Sequence, residues 1–197
     1  VGSCGNQQAA AWAADQLAAA GFSLERQPFE CIDWQTEGAD LTIGGQAFPV
    51  ESSPYSLGCA VSGELAAAGT LEELAAQDLT GKILLMHGAL TAEQLMPKNF
   101  RFYNPEEHQQ IIRALEARPP LAIITAAGRG GSMTGGLYPY PNLEDGDLDI
   151  PSVFTDDQTG AALLARLGQP ASLNSRCRRI PSTGENIVAR SGQHGPR

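Results

Sequence analysis

The sequence predicts an α+β fold on three observations. Short strand-like runs separated by turn residues alternate with longer helical patterns. Three runs, at 82–87, 121–126 and 150–155, are apolar enough to be buried strands. Their spacings are too varied for a simple βαβ repeat, so strands and helices are not expected to alternate as in a parallel α/β sheet.

The elements follow in order. Asn6 is placed to cap a helix over 7–20, and Gly21 stops it where a left-handed residue is wanted. Ala10, Ala13, Ala14 and Leu17 share one face of that helix, a small stripe that lets it sit close against another element. A strand is predicted over 22–29, then short runs at 39–43 and 46–50 joined by Gly44-Gly45, a hairpin signal. Another short run covers 61–67. Thr70-Leu71-Glu72-Glu73 is a capping box, which predicts a brief helix over 71–77. Asn104-Pro105-Glu106-Glu107 reads as a helix start, with acids near the positive end of the dipole. Ile111, Ile112 and Leu115 supply its apolar face. A last helix is expected over 157–167 with Gly168 as its stop, then a weakly alternating run at 172–179 and a strand at 185–190.

A chain of 197 residues suits one domain, or one domain with part of another, and 42% apolar residues are enough for a packed core. A net charge of −9 argues against a nucleic-acid partner, which needs a clustered basic surface. The cluster Arg176, Arg178, Arg179 reads as a solvated strand or loop. No run approaches the roughly 20 apolar residues of a membrane span. Cys4, Cys31, Cys59 and Cys177 form no C-x-x-C pair, so they read as buried thiols and not as a zinc site or a disulfide framework. The chain opens at Val1 in the lead-in to a helix and closes just after a strand, which reads as a piece of a longer protein.

The chemistry-bearing candidates each have a plainer reading. The run Gly128-Arg129-Gly130-Gly131-Ser132 follows a buried strand, where a phosphate loop would sit. It leads into Leu137-Tyr138-Pro139-Tyr140-Pro141, which cannot begin a helix, so a surface loop is expected. The acidic run 144–149 lacks calcium-loop spacing. His87 reads as a core or rim histidine, His108 as exposed, and His194 as part of the tail. None of the three lies in a zinc spacing, and no Gly-x-Ser-x-Gly elbow exists. No catalytic, cofactor-binding or metal residue is therefore assigned. A complete small hydrolase using His87 or His108 stays a distant reading.

Several phrases in order resemble the protease-associated (PA) domain: 56–64, then Asp78-Leu79-Thr80-Gly81-Lys82-Ile83-Leu84-Leu85, then Ala122-Ile123-Ile124-Thr125, then Ile150-Pro151-Ser152-Val153-Phe154-Thr155. The flanks, Gly2-Ser3-Cys4-Gly5-Asn6 through Phe29 and Glu185-Asn186-Ile187-Val188-Ala189, look like the start of the di-zinc aminopeptidase and glutamate-carboxypeptidase family. That resemblance implies a PA domain over 32–181, with a β-barrel-like or sandwich core and peripheral helices. It is inserted between an N-terminal helix and first strand (1–31) and a second strand (182–197) of an α/β peptidase domain. The resemblance also implies that the metal ligands lie beyond Arg197. No cofactor is expected in this chain, two zinc ions are expected in the parent, and the parent's partner would be a peptide or protein substrate. The PA domain would gate substrate access or contact proteins. The alternative is a stand-alone PA interaction module of the sorting-receptor type. Self-association through the terminal strands is a further expectation, to be checked by light scattering at several concentrations.

Overall fold

The computed structural model describes residues 2–93, 95–96, 101–127 and 148–192. The elements are α1 (Cys4–Ala19), β1 (Phe22–Ile43), β2 (Gln46–Phe48), β3 (Glu51–Ser52), β4 (Cys59–Ala68), α2 (Leu71–Ala76), β5 (Lys82–Met86), a 3₁₀ turn (Gly88–Thr91), α3 (Glu106–Ala117), β6 (Ala122–Ala127), β7 (Ser152–Asp156), α4 (Asp157–Leu164) and β8 (Pro170–Ser191). They build a mixed α/β fold around one eight-stranded sheet of order β2-β1-β8-β4-β5-β6-β7-β3. The chain divides into two compact units. One holds Val1–Trp34 and Arg179–Arg197, and the other holds Gln35–Arg178.

The second unit is organised by four parallel strands. β4 runs parallel to β5, β5 to β6, and β6 to β7. β8 closes one side antiparallel to β4, and β3 pairs antiparallel with β7. The mixed sheet is compatible with the α+β expectation, but it contains parallel crossovers that the varied strand spacing did not lead one to expect. β4-α2-β5 and β5-α3-β6 are parallel crossovers. Their helices differ in length, and the second crossover also carries the 3₁₀ turn, which hides the repeat from a fixed-period search.

The four-residue apolar run Ile83-Leu84-Leu85-Met86 is fully buried, as expected of a parallel strand covered on both faces. Alternate residues divide between two cores. Leu84, Met86 and Ile123 pack with Leu74 of α2 and with Ile111, Ile112 and Leu115 of α3. Ile83, Leu85, Ala122 and Ile124 pack with Leu163 of α4 and with Leu41, Ile43, Val153 and Leu173. Helices thus cover both faces of the parallel strands. β3 and β8 lie far apart in strand order, yet Ser52 of β3 and Ser175 of β8 share a hydroxyl–hydroxyl bond of 2.9 Å. The sheet curls far enough to bring those two strands together.

In the first unit, α1 begins at Cys4 and not after Asn6. Ser3 is the cap and accepts from the Asn6 amide, while the Asn6 side chain accepts from the Gly2 amide. The helix starts three residues earlier than expected because Ser3 already satisfies an orphan amide. Gly21 ends the helix at φ 86°. Ala14 is buried, and Ala10, Ala13 and Leu17 are the half-buried helix residues beside it, so the small stripe faces inward as read. Ser182 Oγ donates to the Gly2 carbonyl and the Gln7 side chain to the Thr183 carbonyl, which ties α1 to β8.

The predicted breaks between 22–29 and 39–43, and between 172–179 and 185–190, are absent. β1 and β8 are each one strand of 22 residues. Within the first unit Ser23 Oγ donates to the Arg190 carbonyl, Arg26 pairs with Glu185, and Glu25 pairs with Arg190. These partners descend along β8 as β1 ascends, so the two strands run antiparallel. Within the second unit the same pairing continues through Arg178 to Gln35 and Arg176 to Asp40. Continuous pairing overrides the weak local propensity at the predicted breaks.

Candidate functional site

The most elaborate polar assembly among the described residues is a buried serine cluster. It joins β3, β7, β8 and the turn after β3. Ser53, Ser56, Ser152 and Ser175 are 3% exposed or less. Ser53 Oγ and Ser152 Oγ are 2.8 Å apart, and Ser52 Oγ and Ser175 Oγ 2.9 Å. Ser56 Oγ accepts from the Ser152 amide at 2.8 Å and donates to the Leu57 carbonyl at 3.0 Å. Ser175 Oγ lies 3.4 Å from Cys177 Sγ, which donates to the Ser56 carbonyl at 3.3 Å. The turn is held with Tyr55 at φ 60°, an uncommon backbone state for a residue with a side chain. Each hydroxyl is engaged with a serine, a thiol or a backbone group, and no histidine is among these partners. An activated serine needs a base within hydrogen-bond reach. The cluster fastens β3 and β7 to β8.

The thiols are unpaired with one another. Cys4 is exposed and Cys31, Cys59 and Cys177 are half-buried, so the expectation of buried thiols is corrected towards the surface. Burial pushes the Cys59 thiol above its ordinary range. A hydrogen bond from the Ser175 backbone opposes this, and the neighbouring Cys177 adds to it. A thiol held protonated is a poor nucleophile and a poor metal ligand.

The two described histidines have different surroundings. His87 follows β5, its amide donates to the Ala68 carbonyl at 3.1 Å, and its ring lies against Gly69. A side chain at 69 would strike the imidazole, which is why the strand end after β4 carries glycine. His108 was expected to be exposed and is 8% exposed. Its Nδ1 accepts from the Met96 amide at 3.1 Å, and its Nε2 stands 3.9 Å from Glu93 Oε2. The signal for burial was available: His108, Ile111, Ile112 and Leu115 share one helical face. His194, the glycine-rich run at 128–136 and residues 144–147 lie outside the described residues.

Among the described residues, no group of three or more His, Cys, Asp or Glu side chains is arranged to hold a metal ion. His108 and Glu93 offer two donors, and a protein zinc site takes three or four. No helix among them is long and apolar enough to cross a membrane.

No protein-family profile and no curated protein sequence matches the chain. Solved structures do. An aminopeptidase from Aneurinibacillus sp. strain AM-1 superposes with a TM-score of 0.67 at 23% identity, over 95% of this chain and 43% of that one. A peptidase M28 precursor from Shewanella amazonensis gives 0.62 at 17% identity, over 96% of this chain and 45% of that one. BSAP, a zinc aminopeptidase from Bacillus subtilis, gives 0.62 at 18% identity, over 95% and 41%. The chain has the fold of parts of these three proteins and spans less than half of their length.

Proposed function

We propose that this chain works as part of a larger zinc-dependent exopeptidase of the aminopeptidase type. In this reading residues 1–31 and 182–197 belong to a peptidase domain. Residues 32–181 form a PA domain inserted between them, with a barrel-like core that shapes access of peptide substrates or contacts proteins. The observation that carries the proposal is the fold match to two aminopeptidases and a peptidase M28 precursor over 95% or more of this chain but less than half of each of theirs. The division of the chain into a middle unit and a unit built from its two ends agrees with an insertion. The curl that joins Ser52 to Ser175 agrees with a barrel-like core. A stand-alone sorting-receptor module would have no need for α1 and the outer halves of β1 and β8.

On this reading the chain itself does not catalyse. Two zinc ions, held by residues elsewhere in the larger protein, would activate water for attack on the peptide carbonyl. The test compares two proteins on an aminoacyl p-nitroanilide. The longer polypeptide encoded by the gene should hydrolyse it, lose activity with a chelator and recover it with zinc. The 197-residue chain should be inactive with or without zinc. Metal-dependent turnover by the short chain, surviving further purification, overturns the non-catalytic role. A longer polypeptide without chelator-sensitive hydrolysis overturns the peptidase reading.

A further inference from the structure

Two thiols share one face of the β4–β8 pair. Cys59 opens β4 directly opposite Ser175 of β8. Cys177 follows Ser175 by two positions on the same strand and so returns to the same face. The Ser175 hydroxyl lies 3.4 Å from Cys177 Sγ, and the Ser175 backbone donates to Cys59. One serine thus touches both thiols, and both are half-buried. The other two cysteines, Cys4 and Cys31, belong to the other compact unit. We propose that Cys59 and Cys177 form a two-sulfur site for one monovalent soft metal ion of the cuprous type.

The spacing selects an ion over a disulfide. Diagonal neighbours in an antiparallel pair stand about 7–8 Å apart at Cα, beyond the roughly 4.4–6.8 Å that a disulfide spans. Two metal–sulfur bonds of about the zinc–sulfur length, ~2.3 Å, bridge the wider gap. The donor set selects the metal. Two thiolates fall short of the ligands that zinc takes, and soft sulfur favours the cuprous ion. Binding breaks two S–H bonds and forms two metal–sulfur bonds. Both protons pass to water, nothing is oxidised, and the site carries one negative charge. Ser175 is placed to stabilise that charge, with its hydroxyl toward Cys177 and its backbone N–H toward Cys59. Two costs oppose binding. Cys177 gives up its donation to the Ser56 carbonyl, which is small because a thiol is a weak donor. Burial favours the neutral Cys59 thiol, and coordination overcomes this because a metal-bound thiol loses its proton outright. Cys59 packs against the core cluster that holds Ala171 and Leu173, which shields one side of the ion from water.

The test uses the reduced full chain and cuprous ion, added without oxygen in competition with a coloured cuprous chelator. Wild type and the Cys4→Ser/Cys31→Ser double variant should each take one ion per chain. Cys59→Ser and Cys177→Ser, each alone, should weaken binding by at least about 100-fold, the upper end of what losing an outer-shell partner costs. Ser175→Ala should weaken it by about 10-fold. The bound ion should protect Cys59 and Cys177 from alkylation and leave the exposed Cys4 reactive, read peptide by peptide in a mass spectrometer. Undiminished binding in either single cysteine variant overturns the site, and so does loss of binding in the Cys4→Ser/Cys31→Ser protein. A Cys59–Cys177 disulfide formed on treatment with oxidised glutathione would show the sulfurs within direct bonding reach and overturn the choice of an ion. If the single variants do not fold, the wild-type alkylation pattern decides: unchanged reactivity of Cys59 and Cys177 with the ion bound overturns the proposal.

Discussion

Gly160 offers a test of how α4 is seated on the sheet. It lies buried in α4, and a Cβ built there falls well inside 3.0 Å of the Ala126 Cβ on β6. Two effects of Gly160→Ala oppose each other. Alanine in a helix interior gains about 1 kcal/mol over glycine. Forcing a methyl into a filled core costs about 1–3 kcal/mol. The contact is Cβ against Cβ, with no flexible side chain to swing away, so the cost should lie in the upper part of that range. The single variant should be less stable by roughly 1–2 kcal/mol net of the helix term. Ala126→Gly alone removes a buried methyl and frees a strand backbone, costing about 1–2 kcal/mol. In the double variant the methyl has moved from strand to helix and the clash is gone. It should be no less stable than Ala126→Gly, giving a coupling of about 1–3 kcal/mol against additivity. Urea denaturation of the four proteins, with equal m-values as a check that the unfolded state is unchanged, measures the cycle. If Gly160→Ala stabilises the protein by the full helix term and the effects add, α4 does not approach β6 as described.

Two smaller predictions follow from single contacts. Thr70 Oγ1 accepts from the Glu73 amide and Glu73 Oε2 accepts from the Gly69 amide, so Thr70→Ala should cost about 1 kcal/mol in the same denaturation assay, and no loss would show α2 to be held by Leu74 alone. The raised Cys59 thiol binds its proton more tightly in the folded state than in the unfolded one, so its contribution to stability is present below the unfolded value of about 8.5 and is lost as pH rises through the folded one; wild type should lose stability above that pH relative to Cys59→Ala, and parallel curves would refute the assignment.

Much of the fold was legible where one residue type has one local use. Gly21 ends α1 at positive φ, and Gly44-Gly45 turns the β1–β2 hairpin in register Ile43 to Gln46. The last helix instead stops at Leu164 with Ala165 as its cap, three residues short of the expected end at 167, and Gly168 takes its positive φ in the turn beyond. The capping box at Thr70 forms, with the glutamate reaching Gly69 where the motif would send it to Thr70. Legibility fell where the outcome depended on a distant partner. The residues over 30–38 carry no strong strand pattern, yet they are held extended by β8, whose own middle is equally ambiguous. Each strand needs the other, and neither half is visible alone. The parallel crossovers were missed for a related reason. Parallel pairing leaves no turn signature between the strands, and only the uninterrupted burial of Ile83 to Met86 hinted at it.

The same division governs the polar residues. Ser152 stood out only as part of a familiar phrase, Ile-Pro-Ser-Val, and the structure supplies a physical role for it. Its hydroxyl meets Ser53 and its amide donates to Ser56, so a larger apolar residue there would leave a buried amide–hydroxyl network half satisfied. Ser52 and Ser175, separated by 123 positions, carried no signal at all, because a serine–serine bond between strands has no sequence spacing. His108 is the opposite case. Its position on the stripe with Ile111, Ile112 and Leu115 announced burial, and a buried imidazole must find a partner for its lone pair. The Met96 amide is that partner. A polar residue on an apolar stripe thus announces a buried partner, whereas a serine–serine bond between distant strands does not.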